Sequence, residues 1–400
     1  MAKRPEQPAL KEKKEKVALT FEAAYAQMRK DYGANTVMIA KDMNKVRKIP
    51  TGIPSLDFQL GGGVPMSRII QIFGEKHCCK TYLSMLITAA LQKTYGDKMV
   101  FWLDLERSFE PVRAEQVGID LNRLIVCRPA SAEPGFDELI DMLPYISGGV
   151  VDSVAAATSV AESEGTMGDK QVGMLAALMS KFFHKWISAS SPEFMKDQEV
   201  PMLLLTNQVR DDIGAYIKKT KRPGGKCMEH YPSLFIDLSK GAPVKLKATD
   251  AEGEEITVGH DVKFKIPKNN VFQPDKTGSF MLCTRPTDVG GYQLNAHQVD
   301  WPKDLLKYAA HYEVIVKSGA WYSYKGENFA QGKVAAQAYL FNDGDMAAEV
   351  YKLTLAAVRL QHGLKEEEIK NVIKAKRDKA KVEKPREEGG KKHWGKKQAG

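Results

Sequence analysis

Residues 74 to 81 read Gly-Glu-Lys-His-Cys-Cys-Lys-Thr. This is the spacing of G-x-x-x-x-G-K-[ST], a loop whose backbone amides wrap phosphate oxygens. Gly74, Lys80 and Thr81 hold their places, and Cys79 stands where the second glycine belongs. In that chemistry the amides of Glu75, Lys76, His77, Cys78 and Cys79 line the phosphates. Lys80 sets its charge against the outer ones, and the Thr81 hydroxyl offers a magnesium ligand. The flanks agree: residues 68–73 read as a strand and 82–94 as a helix, the context such a loop requires. The competing reading is a plain strand-to-helix turn that ends in Lys-Thr. Nucleotide binding is expected.

Those residues need a scaffold. From about residue 49 the chain alternates apolar runs with helical stretches, the sign of a mostly parallel α/β sheet. The runs are 69–73, 100–103, 124–127, a weak 150–151, and 202–205. Several end in polar residues: Asp104 with Glu106, Asp152 with Ser153, and Thr206-Asn207-Gln208. Ligands of open α/β sheets bind beyond the carboxyl ends of strands, so these groups should surround the phosphates. Leu175, Leu178, Met179, Phe182, Phe183 and Trp186 form a helical stripe that reads as core. Residues 263–270 and 279–283 look like a second, antiparallel group of strands.

The ends differ from this body. Phe21, Ala24, Tyr25 and Met28 have helical spacing, Gly33 is a plausible stop, and Thr36-Val37-Met38-Ile39 is β-like. A piece this small cannot bury its own apolar face, so it should pack on something else, such as a second subunit. After about 293 a helix (302–312), a Gly/Tyr/Trp-rich stretch and another helix (345–360) suggest a small α/β domain. The expected divisions are a basic tail 1–16, an oligomerisation segment 17–48, a nucleotide-binding core 49–292, a C-terminal domain 293–362 and a charged tail 363–400.

Net charge is +9 across 400 residues, yet residues 17–368 carry −2. Residues 369–400 carry +8 and residues 1–16 carry +3. Such tails are solvated, or supply sequence-blind phosphate contacts on a nucleic-acid protein. No apolar run approaches a membrane span and no signal segment stands at the start. The five cysteines fit no zinc spacing. Cys127, Cys227 and Cys283 are scattered, as in a reducing cytosol, so a cytoplasmic location is expected.

Together the motifs resemble the RecA family of recombinases, phage-encoded members in particular. The residues that carry the likeness are Thr51-Gly52-Ile53-Pro54-Ser55-Leu56-Asp57 and Gly61-Gly62-Gly63-Val64-Pro65-Met66 ahead of the phosphate loop, then Val151-Asp152-Ser153-Val154-Ala155-Ala156. Asn207-Gln208-Val209-Arg210 and Gly319-Ala320-Trp321-Tyr322-Ser323-Tyr324-Lys325-Gly326-Glu327 follow in consistent order, over about residues 17–360. The resemblance implies a P-loop ATPase core with ATP and Mg2+ as ligands. It implies Glu106 as general base, with Asp104 and Glu110 as competing carboxylates, and Asp152 holding magnesium through water. Gln208 would sense the γ-phosphate, Arg113 and Glu110 would meet adenine, and Lys268 would reach a neighbouring subunit's ATP.

The resemblance also implies two DNA-contacting segments. The first spans 162–173 and includes Gly165 and Met167. The second spans 209–231, with Arg210, Tyr216, Ile217, Lys218, Lys219, Gly224, Gly225 and Lys226. Basic side chains neutralise phosphates and glycines allow close backbone approach. Its length without secondary structure argues for function. The chain departs from the pattern at Cys79, at Asn270 where a second lysine is expected, and in its basic rather than acidic tail. The implied activity is ATP-dependent strand exchange by a filament on single-stranded DNA, acting on a homologous duplex. Single-strand-binding and loader proteins are further implied partners. Two other classes stay open: an ATP- and DNA-binding mediator with little hydrolysis, and a hexameric helicase.

Overall fold

A computed structural model describes residues 20–166, 173–196, 198–211, 220–247 and 255–363; the basic ends, 1–16 and 364–400, lie outside them. The apolar runs become one sheet of eight strands. They are β1 (Ile69–Gly74), β2 (Met99–Asp104), β3 (Leu124–Cys127), β4 (Ile146–Asp152), β5 (Met202–Gln208), β6 (Leu234–Lys247), β7 (Glu255–Asn269) and β8 (Lys276–Cys283). Their spatial order is β8-β7-β6-β1-β5-β4-β2-β3; β6 through β3 run parallel, and β7 and β8 return antiparallel. β1 is buried along its whole length, and such continuous apolar runs are what a sheet covered on both faces demands.

Helices cover both faces. α1 (Phe21–Tyr32) precedes the body; α2 (Pro54–Gln59), α3 (Lys80–Thr94) and α4 (Pro111–Val117) serve one face, α5 (Ala132–Asp141) and α6 (Met174–Ala189) the other. The apolar stripe of Leu178, Met179, Phe182, Phe183 and Trp186 is core, as its spacing indicates. The weak run at 150–151 is in fact a seven-residue buried strand. Gly148 and Gly149 make it look poor because helices press onto its backbone: a Cβ there would lie 2.7 Å from Leu91 Cδ1 and 2.6 Å from Leu139 Cδ1, respectively.

Three further expectations need correction. Thr36–Ile39 forms no strand; the Thr36 and Val37 amides donate to Gly33 O, which closes a turn, and Ile39 N donates to Tyr25 Oη. Residues 162–164 complete a short helix, Val160–Glu164, so that segment is not all loop. The 209–231 segment likewise holds structure: Arg210–Asp211 pairs with Thr220–Lys221, and α7 (Cys227–His230) follows.

The small C-terminal domain contains α8 (Trp301–His311), a three-stranded sheet of β9 (Val316–Ser318), β10 (Trp321–Tyr324) and β11 (Glu327–Gln331), then α9 (Lys333–Asn342) and α10 (Gly344–Gln361). α2 clamps it to the core. Phe58 of α2 packs between Tyr308 (5.3 Å between ring centroids) and Tyr351 (5.1 Å). Two carboxylates are sealed into this junction. Asp57 accepts from Thr51 N and Oγ1 at 2.8 Å and from Tyr351 Oη at 3.2 Å, and Ser55 Oγ donates to Asp304 at 2.6 Å.

Burial lifts both Asp57 and Asp304 to about 7. The unfolded chain releases those protons near 4, so the native state binds more protons between about 4 and 7. The junction is therefore most stable below the unfolded value and loses stability as pH rises through 7. Thermal melts should show the C-terminal domain melting lower at pH 8 than at pH 5. Asp304→Asn should flatten that slope, by on the order of 1 kcal/mol, about 2–4 °C. Parallel pH profiles for parent and variant would reject the assignment.

Candidate nucleotide and DNA site

The phosphate loop leaves β1 at Gly74 and enters α3 at Lys80. Gly74 is required sterically: a Cβ would sit 2.1 Å from Leu238 O of the adjacent strand. Glu75, Lys76 and His77 are exposed, while Cys78 is buried and donates to Glu75 O at 2.9 Å. Lys80 Nζ donates back to Gly74 O at 3.1 Å and Glu75 O at 2.7 Å, so the ammonium lies inside the loop's curve.

Cys79 sits in the left-handed region, φ 70 and ψ 26. Glycine adopts that conformation freely, whereas a β-carbon costs about 1 kcal/mol. Burial also raises the Cys79 thiol to about 11, with Cys78 adding to the shift, so it stays protonated at neutral pH. Cys79→Gly should therefore raise thermal stability slightly and tighten nucleotide binding, measured by titration with a fluorescent ATP analogue. Weaker binding would mean the surrounding loop has adapted to the cysteine.

Four strand ends converge on this loop. Thr81 Oγ1 donates to Asp152 Oδ2 at 2.9 Å, and Thr206 Oγ1 donates to Asp152 Oδ1 at 2.6 Å. Burial raises the Asp152 carboxyl above the usual range, opposed by those two hydroxyls. Two hard oxygen ligands, Thr81 Oγ1 and Asp152, thus lie together at the N-terminus of α3, a donor set that fits magnesium. Beside them, Glu106 Oε1 accepts from Ser153 Oγ and from Gln208 Nε2, the latter at 3.2 Å. The amides of Leu105 and Glu106 both donate to Asp152 O, at 2.8 and 3.2 Å, which locks β2's end against β4's.

The competing acids are engaged elsewhere. Asp104 is buried and accepts from Ser108 N, Phe109 N and Arg128 Nε, at 3.0, 3.1 and 2.8 Å. Glu110 caps α4 by accepting from Val112 N at 3.3 Å. Glu106 is exposed just beyond its strand, its Oε1 engaged by Ser153 and Gln208. Arg113 is exposed on α4; its charge acts on Cys79 and on His297, which places it beside the phosphate loop. Sequence reasoning missed Arg128, and it missed Tyr82, whose hydroxyl donates to His297 O. No local pattern flags them, because each partner is distant in the chain.

The chain matches two family models, RecA N-terminal domain over residues 19–285 and RecA C-terminal domain over residues 303–359. The chain belongs to the RecA family. Protein RecA of Francisella philomiragia is 36% identical over 329 residues, covering 80% of this chain and 84% of the relative. Protein RecA of Methylococcus capsulatus is 33% identical over 337 residues, 82% of this chain and 89% of the relative. Protein RecA of Francisella tularensis subsp. novicida is 35% identical over 329 residues, 80% and 84% respectively.

The other residues of interest in this RecA-family chain lie apart from the loop. Lys268 Nζ donates to Glu229 O at 2.7 Å and His230 O at 3.2 Å. β7 pairs it with Phe235, and β6 pairs Phe235 with Gln71, three residues before Gly74. It does not meet Lys80 of its own chain. Gly165 follows the short helix, its amide donating to Ala161 O. Gly224 and Gly225 have φ of 101 and 78, and a Cβ on either would strike Met228 or Ala176 at 2.6 Å. Lys226 is exposed next to them. Met167, Tyr216, Ile217, Lys218 and Lys219 lie outside the described residues. Among the described residues no helix is long and apolar enough to cross a membrane.

Proposed function

We propose that this RecA-family protein is an ATP-dependent DNA strand-exchange recombinase that assembles as a filament on single-stranded DNA. One observation carries the reading: Lys80, Thr81, Asp152, Glu106 and Gln208 meet at the carboxyl ends of four adjacent strands, around one phosphate-binding loop. Loop amides and Lys80 bind and orient the triphosphate. Thr81 and Asp152 would hold magnesium, which would neutralise charge on the outer phosphates. Glu106 takes the proton of the attacking water, and its carboxylate is aimed by Ser153 and Gln208. Gln208 also ends β5, whose Asn207 side chain donates to Pro223 O at 2.9 Å, so the sensing strand is tied to the 209–231 segment.

Lys268 would act on a neighbouring subunit's nucleotide, and residues 17–48 would supply the subunit contact. Phe21, Met28 and Tyr32 of α1 are exposed in the single chain, which supports that role. The segments 162–173 and 209–231 would hold DNA backbone, with Arg210, Lys218, Lys219 and Lys226 neutralising phosphates. The phage-encoded type is part of the proposal and rests on Cys79 and the basic tail. A mediator with slow hydrolysis is a second reading, favoured by the left-handed Cys79. Electron microscopy with single-stranded DNA and a non-hydrolysable ATP analogue, beside an ATPase assay, tests both. Filaments with DNA-stimulated turnover are expected; filaments without turnover would favour the mediator, and closed rings would overturn both.

A further inference from the structure

One guanidinium fastens the stem of the 209–231 segment to the sheet. Arg222 lies 4.6 Å from the ring centroid of Phe73 and 4.5 Å from that of Phe235. The two rings meet edge to face at 5.8 Å. Glu229 faces the guanidinium at 3.7 Å, and the Arg222 side chain keeps only 20% of its accessible surface. Phe73 directly precedes Gly74 of the phosphate loop. Phe235 also carries the Lys268 ammonium at 5.2 Å, and Lys268 bonds the backbone of Glu229. The stem is held on its other side by Asn207 and by the packing of Gly224 on Met228.

We propose that Arg222 is a positioning residue that couples the 209–231 segment to the phosphate loop, through the stack Phe73–Arg222–Phe235. The inference rests on the reading of that segment as DNA-binding. Attraction of a cation to a ring face fades beyond about 6 Å, so a small displacement of the stem takes the guanidinium off both rings. Burial leaves little water to replace them. The stack is thus an element with two arrangements, seated and unseated, whose balance both sites can bias. Coupling of this kind is reciprocal: nucleotide that favours the seated form alters DNA affinity, and DNA alters nucleotide affinity by the same factor. Arginine suits the role because its planar group can stack against aromatic faces, which an ammonium cannot do.

The test uses the full chain and a fluorescein-labelled oligothymidylate, with affinity measured by anisotropy in a slowly hydrolysed ATP analogue and in ADP. The ratio of the two affinities reports coupling. Arg222→Leu keeps aliphatic bulk on the rings and removes the charge; Phe235→Leu removes a ring and keeps the charge. Each should lower the ratio by about 5- to 10-fold, within the usual range of coupling. The double variant should fall no further, because both changes break one stack. Arg222→Lys should recover part of the ratio. An unchanged ratio in both single variants overturns the proposal. So does an equal loss with both nucleotides and a shallower salt slope, the mark of a plain phosphate contact. If the parent protein itself binds DNA equally with either nucleotide, the strand-exchange reading fails and the inference with it. A strong parental ratio with unaffected variants removes the coupling role alone.

Discussion

Glu106→Gln should stop ATP turnover while leaving nucleotide and single-stranded DNA binding in place. The amide oxygen can still accept from Ser153 and from Gln208, so the local geometry survives. What the amide cannot do is take a proton at neutral pH. Loss of a general base typically costs about 10²- to 10⁴-fold. Steady-state ATPase with saturating DNA measures the loss, and filament images with ATP should show more persistent assemblies than the parent forms. Turnover at the parental rate would move the base elsewhere. Asp104 is a poor heir, since its oxygens already accept three donors in a buried site. Glu110 would be the remaining carboxylate, and Glu110→Gln the next variant.

Lys80→Ala should abolish ATP-supported strand exchange. The ammonium sits within the curve of the loop, held by the carbonyls of Gly74 and Glu75, and a bound triphosphate would take over those contacts. Removing a charge that stabilises the transferring phosphoryl group costs on the order of 10²- to 10³-fold in rate, and here binding falls too. The fold should be unaffected, because α3 keeps its buried face of Leu83, Ile87 and Leu91. A joint-molecule assay with circular single strands and homologous linear duplex gives the readout. Strand exchange at the parental rate would remove the ATP assignment, whereas lost exchange with a collapsed melting curve would point to misfolding.

Much of this site is legible in one dimension. The ends of the phosphate loop, the strand-end acids and the Gln208 strand are each marked by a local pattern: an apolar run, a glycine or a polar residue just past the run. A parallel sheet places all carboxyl ends on one edge, so naming the strands already gathers Lys80, Asp152 and Gln208. The C-terminal helices and the core stripe of α6 follow from spacing alone.

Other features depend on partners far away in the chain. β6 has no continuous apolar run, with Asp237, Lys240 and Pro243 inside it, yet β1 and β7 impose a strand. Its pairing with β1 stops at Leu238, so Pro243 falls where that flank has no ladder to break. Asp104 and Glu106 stand two residues apart with the same chemistry. Only the fold ranks them, by burying the first under Arg128 and the loop amides and by turning the second toward Ser153 and Gln208. Arg222 reads as one more cation in a basic loop, and only packing between Phe73 and Phe235 makes it an anchor. Sequence determines what each group can do through its local pattern; tertiary structure decides which groups remain free to do it, because burial and hydrogen bonding are set by residues up to hundreds of positions distant.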